Sequence, residues 1–213
     1  MRFKILICVI WLSNMLAWGQ NQKEQQVVRQ KRIAMIHAHH IGMGVDANMY
    51  RNVHLAPRIF YGFGSYRNIF SFDVGAQYTF SHPLSVTNDE KVTAHYIAPF
   101  VAANIHFVKW NSGCAYAGAE FAYHFAISGD HYSPSSPIIV RDIHIGNHHS
   151  TIRAKAGVRF ENWDLNAHFE YDLAPALNQK YIFESINYDY PSLKYALFER
   201  WRIGVAIAYL IPF

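Results

Sequence analysis

The sequence predicts an all-β protein, an eight-stranded antiparallel up-and-down β-barrel, and three observations lead there. Apolar and polar residues alternate with period two in eight segments beyond residue 36. The connections between those segments are short and long by turns. The polar face of several segments carries full charges, which need a closed, partnered interior. Composition agrees with an ordered domain: of 213 residues, 51% are hydrophobic, 16% aromatic and only 16% charged. A mean hydropathy of −0.04, with no apolar run of helical-span length beyond the N-terminus, argues against a helical membrane protein.

The chain begins with a segment read as a secretory signal, residues 1–19. Arg2 and Lys4 precede an apolar stretch from Ile5 to Leu16, and Ala17-Trp18-Gly19 forms a small-x-small cleavage site. Its removal lowers the formal net charge of +4 by two, because it holds two bases and no acid. The remaining chain clusters few bases, which argues against nucleic acid as a partner. Cys8 follows the bulky Ile7, where a lipoprotein signal needs a small residue. Cys114 is then the single cysteine of the exported chain, so no internal disulfide staples it. Residues 20–36, polar and Gln-rich, read as a periplasmic N-terminal segment ahead of a barrel spanning 37–213.

The first strand is read at His37–Met49 and the second at Leu55–Tyr66. The third, Ile69–Phe80, alternates Phe70, Phe72, Val74, Ala76, Tyr78 and Phe80 with Ser71, Asp73, Gly75, Gln77 and Thr79. Tyr96–Val108, Gly113–Ile127, Thr151–Glu161, Trp163–Leu173 and Arg200–Phe213 complete the set. In Thr151–Glu161 the apolar face is Ile152, Ala154, Ala156, Val158 and Phe160, and the other face holds Arg153, Lys155, Gly157, Arg159 and Glu161. That second face cannot touch lipid.

The connections after the second, fourth and sixth strands are very short: Arg67-Asn68, Lys109–Ser112 and Glu161-Asn162. Those after the third, fifth and seventh are long: Ser81–His95, Ser128–Ser150 and Ala174–Glu199. The first far connection, Tyr50–His54, is short where a long one was permitted. Short turns at one end and long loops at the other mark a transmembrane barrel with periplasmic termini. The segments exceed the roughly 9–11 residues a tilted strand needs to cross the hydrocarbon. Closure also removes the unpaired edges that lipid would not tolerate. The rival is a soluble barrel with its apolar face inside, since alternation alone does not say which face points inward.

The chain ends Trp201-Arg202-Ile203-Gly204-Val205-Ala206-Ile207-Ala208-Tyr209-Leu210-Ile211-Pro212-Phe213, apolar at every second position and aromatic at the last. This resembles the C-terminal strand of small eight-stranded Gram-negative outer-membrane β-barrel proteins, the OmpX and OmpA membrane-domain type. The resemblance is architectural and spans essentially the whole exported chain, with Pro212 as a departure that an edge position near the end tolerates. It implies a cell outer membrane location, contact with outer-membrane lipid and lipopolysaccharide, and a role for Phe213 as the signal read by the barrel-assembly machinery.

With the aromatic face toward lipid, the lumen receives Asp46, Asp73, Glu120, Asp164, Glu170 and Asp172 with Arg58, Arg153, Lys155, Arg159, Arg200 and Arg202. Eight strands leave a bore that side chains fill, so these charges pair rather than line a wide channel. A two-residue turn at Glu161-Asn162 opposes Arg159 with Asp164 and Arg153 with Glu170. A loop centred on Asn52 opposes Asp46 with Arg58. Each opposite-charge pair contributes about 0.2–1 kcal/mol beyond a neutral pair. The same pairs read alternatively as an ion gate that switches partners.

Thirteen His raise a metal reading, above all His144, His148 and His149 with His131, against the plainer reading of a polar surface loop. No metal or other cofactor is expected, because neither Cys nor paired carboxylates complete the set. The same plainer reading holds for His37, His39 and His40. A lipid-acting hydrolase or acyltransferase would need a nucleophile, a base and a carboxylate together. His149-Ser150 near Glu170 or Asp172 is the local candidate, and His168-Phe169-Glu170 has Glu where the His-x-Ser-Asn pattern of lipid A deacylases needs Ser. An enzyme is therefore not the leading expectation. Tyr181, Phe183, Tyr188 and Tyr190, with Tyr195, could bind a partner from the last loop or rest in the headgroups as an aromatic belt. The expected role is structural or binding, through the outer loops, by way of an extracellular or envelope protein partner. A narrow pore, a lipid-modifying enzyme and an accessory subunit of a secretion or uptake complex stand as alternatives.

Overall fold

The computed structural model describes residues 39–50, 52–64, 68–85, 91–133, 136–178 and 200–213. The signal and N-terminal segments, His37, and the aromatic cluster Tyr181, Phe183, Tyr188, Tyr190 and Tyr195 lie outside the described residues. Among the described residues there are nine strands: β1 (His39–Tyr50), β2 (Asn52–Phe63), β3 (Phe70–Ser85), β4 (Lys91–Trp110), β5 (Gly113–Ser133), β6 (Ser136–Arg141), β7 (His149–Phe160), β8 (Trp163–Asp172) and β9 (Trp201–Pro212). Eight of them close a barrel in the order β4, β3, β2, β1, β9, β8, β7, β5, with β5 returning to β4. Every pairing is antiparallel. β6 pairs with β5 beyond the barrel and is part of a far connection.

Both described ends of the chain, His39 and Phe213, meet at one end, where the Phe213 amide lies 3.5 Å from the His39 carbonyl oxygen. The turns at this near end are tight. Trp110 pairs with Gly113 and Phe160 with Trp163, so each turn has two residues. Glu161 takes a φ of 50°, and Gly64, at φ 117°, starts the β2–β3 connection in a region that needs glycine.

The far end departs from expectation. The sequence predicts loops at Ser81–His95 and Ser128–Ser150, but β3 continues to Ser85, β4 starts at Lys91 and β5 runs to Ser133. Two-residue alternation persists there in Val92, Ala94 and Tyr96, which all face inward. Polar Thr93 and His95 on the outward face interrupt the apolar exterior that marks the other strands.

The two faces of the wall are inverted relative to a soluble domain. Val101 is 56% exposed and Phe107 63%, and Leu55, Ile59, Phe72, Val74, Phe121, Ile152, Ile203 and Val205 are exposed with them. Arg159 and Asp46 are 0% exposed, and Asp73, Glu120, Arg153, Glu170 and Asp164 are buried. Burying ten or so charges while exposing the apolar face is unfavourable in water. This polarity excludes the rival barrel with its apolar face inside. The interior is not wholly polar: Phe60, Phe100, Ala98, Ala122, Ala208 and Leu210 pack inside it, so the aromatic face is not uniformly the outer one.

Candidate functional site

The lumen is a stack of three charged layers. Nearest the termini, Arg159 Nη2 donates to Asp73 Oδ2 at 2.8 Å and Nε to Asp164 Oδ2 at 2.6 Å. Asn104 Nδ2 donates to the same Asp73 oxygen at 2.9 Å, and Tyr116 OH donates to Asp164 Oδ1 at 2.6 Å. The Arg159 guanidinium lies 5.2 Å from the Tyr116 ring centroid. One buried cation thus holds two carboxylates on different strands, each with a second donor.

The middle layer centres on Glu120. Arg58 Nη2 donates to its Oε2 at 2.9 Å, Lys155 Nζ stands 3.5 Å from the same oxygen, and Arg153 Nη1 lies 3.1 Å from Oε1. Lys155 also reaches Asp73 at 3.6 Å, joining this layer to the one below. Arg153 Nη1 donates to Asp46 Oδ2 at 2.7 Å, and its Nε and Nη2 bond Glu170 Oε2. Arg58 lies over the Phe100 ring at 4.2 Å, so its apolar plane is covered too. In the upper layer Arg202 Nη2 bridges Glu170 and Asp172, each at 2.5 Å.

The three sequence-derived pairs fall as follows. Arg159 opposes Asp164 and Arg153 opposes Glu170 in the β7–β8 register, and both pairs are in contact. Asp46 opposes Ala56, and Arg58 opposes Gly44, because the β1–β2 register pairs Tyr50 with Asn52 and is not centred on Asn52. The expected register is therefore corrected. The shift moves partners by two positions and keeps both side chains on the lumen face. Arg58 Nη1 spans the diagonal and donates to Asp46 Oδ2 at 3.2 Å. Arg200 precedes β9 and is half-buried at the far rim.

Partners that sequence reasoning missed come from closure rather than from hairpin register. Asp73 on β3 meets Arg159 on β7 across the bore, and Glu120 meets Arg58 likewise. The uncharged members, Asn104, Tyr116, Ser71, Asn48 and His168, share the inward parity of the charges, a signal that was present. His168 Nε2 and Asn48 Oδ1 are 2.7 Å apart. Gly204 makes room for that contact, since a Cβ there would lie 2.4 Å from the imidazole.

The far mouth is closed by a lid. A short 3-10 turn, Ile143–Ile145, is capped by Asp142, which accepts from the His144 amide at 2.9 Å. Its Ile145 packs with Leu177, Val92, Ala94, Tyr96 and Ala126 in a small apolar core over the lumen. The strap 173–178 is tied down by backbone: the Asn147 amide donates to Ala176 O at 2.7 Å and the Asn178 amide to Ile145 O at 2.9 Å. Tyr96 OH donates to Ala176 O from below. Asn147 Nδ2 donates to Leu177 O at 3.1 Å.

The histidines diverge. His144 Nδ1 is 2.7 Å from Asp142 Oδ1 in an exposed position, and His148 accepts from the Ala126 amide at 3.1 Å on the outer surface. His149 points into the lumen and stacks on His124, ring centroids 4.4 Å apart. His131 is half-buried on β5. Ser150 follows His149 on the strand and so points to the opposite face, opposite the outward Tyr123. The His149-Ser150 pairing considered for lipid chemistry is thus corrected: base and nucleophile are separated by the wall. Phe213 is 68% exposed and sits in an outward aromatic group with His39 and Tyr61, ring centroids 6.3 Å and 5.9 Å away.

This geometry defines a class: a closed eight-stranded up-and-down barrel with an apolar outer wall, a salt-bridged interior and a capped far mouth. Its structural neighbours are small outer-membrane barrels. The N-terminal β-barrel domain of OprF from Pseudomonas aeruginosa is 11% identical, with a TM-score of 0.39, over 82% of this chain and 99% of that one. Neisserial surface protein A is 13% identical, TM-score 0.42, over 80% and 94%. Ail, the attachment invasion locus protein of Yersinia pestis, is 8% identical, TM-score 0.40, over 82% and 99%. No protein-family model and no curated protein matches the sequence.

Proposed function

We propose that this chain spans the outer membrane as a closed barrel that does not conduct, and acts as a structural or binding element through its far-end hairpins. One observation carries the reading: an apolar wall surrounds an interior in which each carboxylate is paired with a cation or a hydrogen-bond donor, under an apolar lid. Buried ion pairs of this kind hold the wall in one register, since removing either partner strands a charge. The rigid base then lifts the β3–β4 and β5–β6 hairpins beyond the apolar belt, where loops carry recognition. Lipid and lipopolysaccharide meet the wall, the assembly machinery reads the strand ending in Phe213, and an extracellular or envelope protein engages the hairpins and the 174–199 connection.

The separation of His149 from Ser150 favours a role without catalysis. A narrow pore is the second reading, favoured by the sharing of Glu120 and Asp73 among several cations, which offers alternative pairings. Planar-bilayer recording of the refolded chain at neutral pH separates the two. The closed reading expects no steady conductance. Resolved channels whose amplitude changes in Arg159→Ala would establish the pore instead.

A further inference from the structure

The far mouth holds a pair of imidazoles in a place that the packing of the barrel alone does not require. His124 on β5 and His149 on β7 are both buried, with ring centroids 4.4 Å apart and planes inclined by only 12°. The Tyr96 ring meets both edge-on, at 6.0 Å and 4.9 Å. His124 lies between two hydroxyls, Thr79 Oγ1 at 3.2 Å and Thr151 Oγ1 at 3.1 Å. His149 Nδ1 is 3.1 Å from the carbonyl oxygen of Asn147. A carbonyl only accepts, so Nδ1 carries the hydrogen in the neutral ring and Nε2 is bare.

These contacts lead directly to the lid. Asn147, which His149 holds, donates both its amide and its side chain to the strap. Tyr96, which both imidazoles touch, supplies a further bond to Ala176. Three of the strap's tethers therefore pass through residues in contact with the stacked pair.

We propose that His124 and His149 form an acid-sensitive latch on the lid: with both rings neutral the strap is held over the mouth, and with both rings protonated it is released. The surrounding charges decide the sense. One proton has a carboxylate within reach, since His149 Nε2 faces Asp172 Oδ1 at 4.0 Å, an oxygen it shares with Arg202. The second is opposed. It places like charges a few ångströms apart in a buried site, where water no longer screens them. Arg202 and Arg153 add to the repulsion, and Glu170 is already bound by both of them. His148, the remaining ionisable neighbour, points out of the barrel. β5 is fixed on both sides by β4 and β7, whereas His149 is the first residue of its strand and adjoins the lid. Separation of the pair moves His149 and Asn147 and withdraws the strap's support.

The latch regulates the closed mouth of the proposed membrane barrel, yet its chemistry needs only the barrel fold. The test is backbone hydrogen exchange of the full chain refolded in detergent, at pH 7.5 and 3.0, corrected for the intrinsic pH dependence of exchange. The Asn147 and Asn178 amides should exchange at least tenfold faster at pH 3.0, and those of β1 should be unchanged. His149→Gln and His124→Gln each leave one ionisable ring, so either should abolish the acid response. Equal protection at both pH values in the wild type would overturn the latch, as would a full acid response in either variant. Membrane insertion is read separately by heat-dependent gel migration. An acid-responsive lid in a chain that fails to insert would remove the membrane reading and leave the latch in place.

Discussion

The two ends of the lumen are closed by different means. Near the termini, Arg159 locks β3 to β7 and β8 through Asp73 and Asp164, with Asn104 and Tyr116 as further donors. Every member is a strand residue, placed by ladder hydrogen bonds on either side. At the far mouth, closure comes from Ile145 and Leu177 on irregular segments, held by a few backbone bonds and a small apolar core. Charge pairs on paired strands resist opening because any displacement leaves a buried charge without a partner. Apolar contacts between connecting segments have no such penalty for small shifts, so the mouth is the part that can move.

The largest consequence concerns the near layer. Asp73→Ala leaves Arg159 with one carboxylate of its two and removes a partner of Lys155, which is expected to destabilise the barrel by about 3–5 kcal/mol. Denaturant unfolding in micelles, followed by gel migration, measures it. Loss within 1 kcal/mol, on the scale of a solvent-exposed pair, would mean that the layer is hydrated and does not lock the strands.

The smaller effect belongs to the mouth. Tyr96→Phe deletes the bond to Ala176 and keeps the ring against both imidazoles. It should weaken the strap by about 1 kcal/mol, seen as faster exchange at Asn147 and Asn178 with an unchanged global unfolding midpoint. A shift of the global midpoint of the same size would show that lid and barrel unfold as one unit, and the contrast between the ends would disappear.

The same contrast explains what could be read from the sequence. Arg159 and Asp164, or Arg153 and Glu170, lie across a two-residue turn, so counting back from Glu161-Asn162 yields their register. Asp46 and Arg58 keep their face although the β1–β2 register differs from the expected one, because a two-position slip preserves parity and arginine reaches a diagonal neighbour. Asp73 with Arg159 was not legible, since 86 residues separate them and only barrel closure brings β3 opposite β7. The lid was illegible for a different reason. Ile145 and Leu177 sit in segments without periodicity, and their meeting depends on how two connections cross the mouth. His124 lies within the predicted strand Gly113–Ile127, away from the denser histidines at 144, 148 and 149. Inward parity, the same signal that selected the charges, places it in the lumen.

The central claim is that the apolar face of this wall meets lipid and the charged face does not. It is tested most directly on β9, where Val205 and Ile207 are exposed while Ala206 and Ala208 between them are buried. Single cysteines at these four positions, in a Cys114→Ala background and carrying a fluorophore, are reconstituted with brominated lipid. The account predicts strong quenching at 205 and 207 and little at 206 and 208. Quenching that is uniform along the strand, or strongest at the two alanine positions, would contradict it.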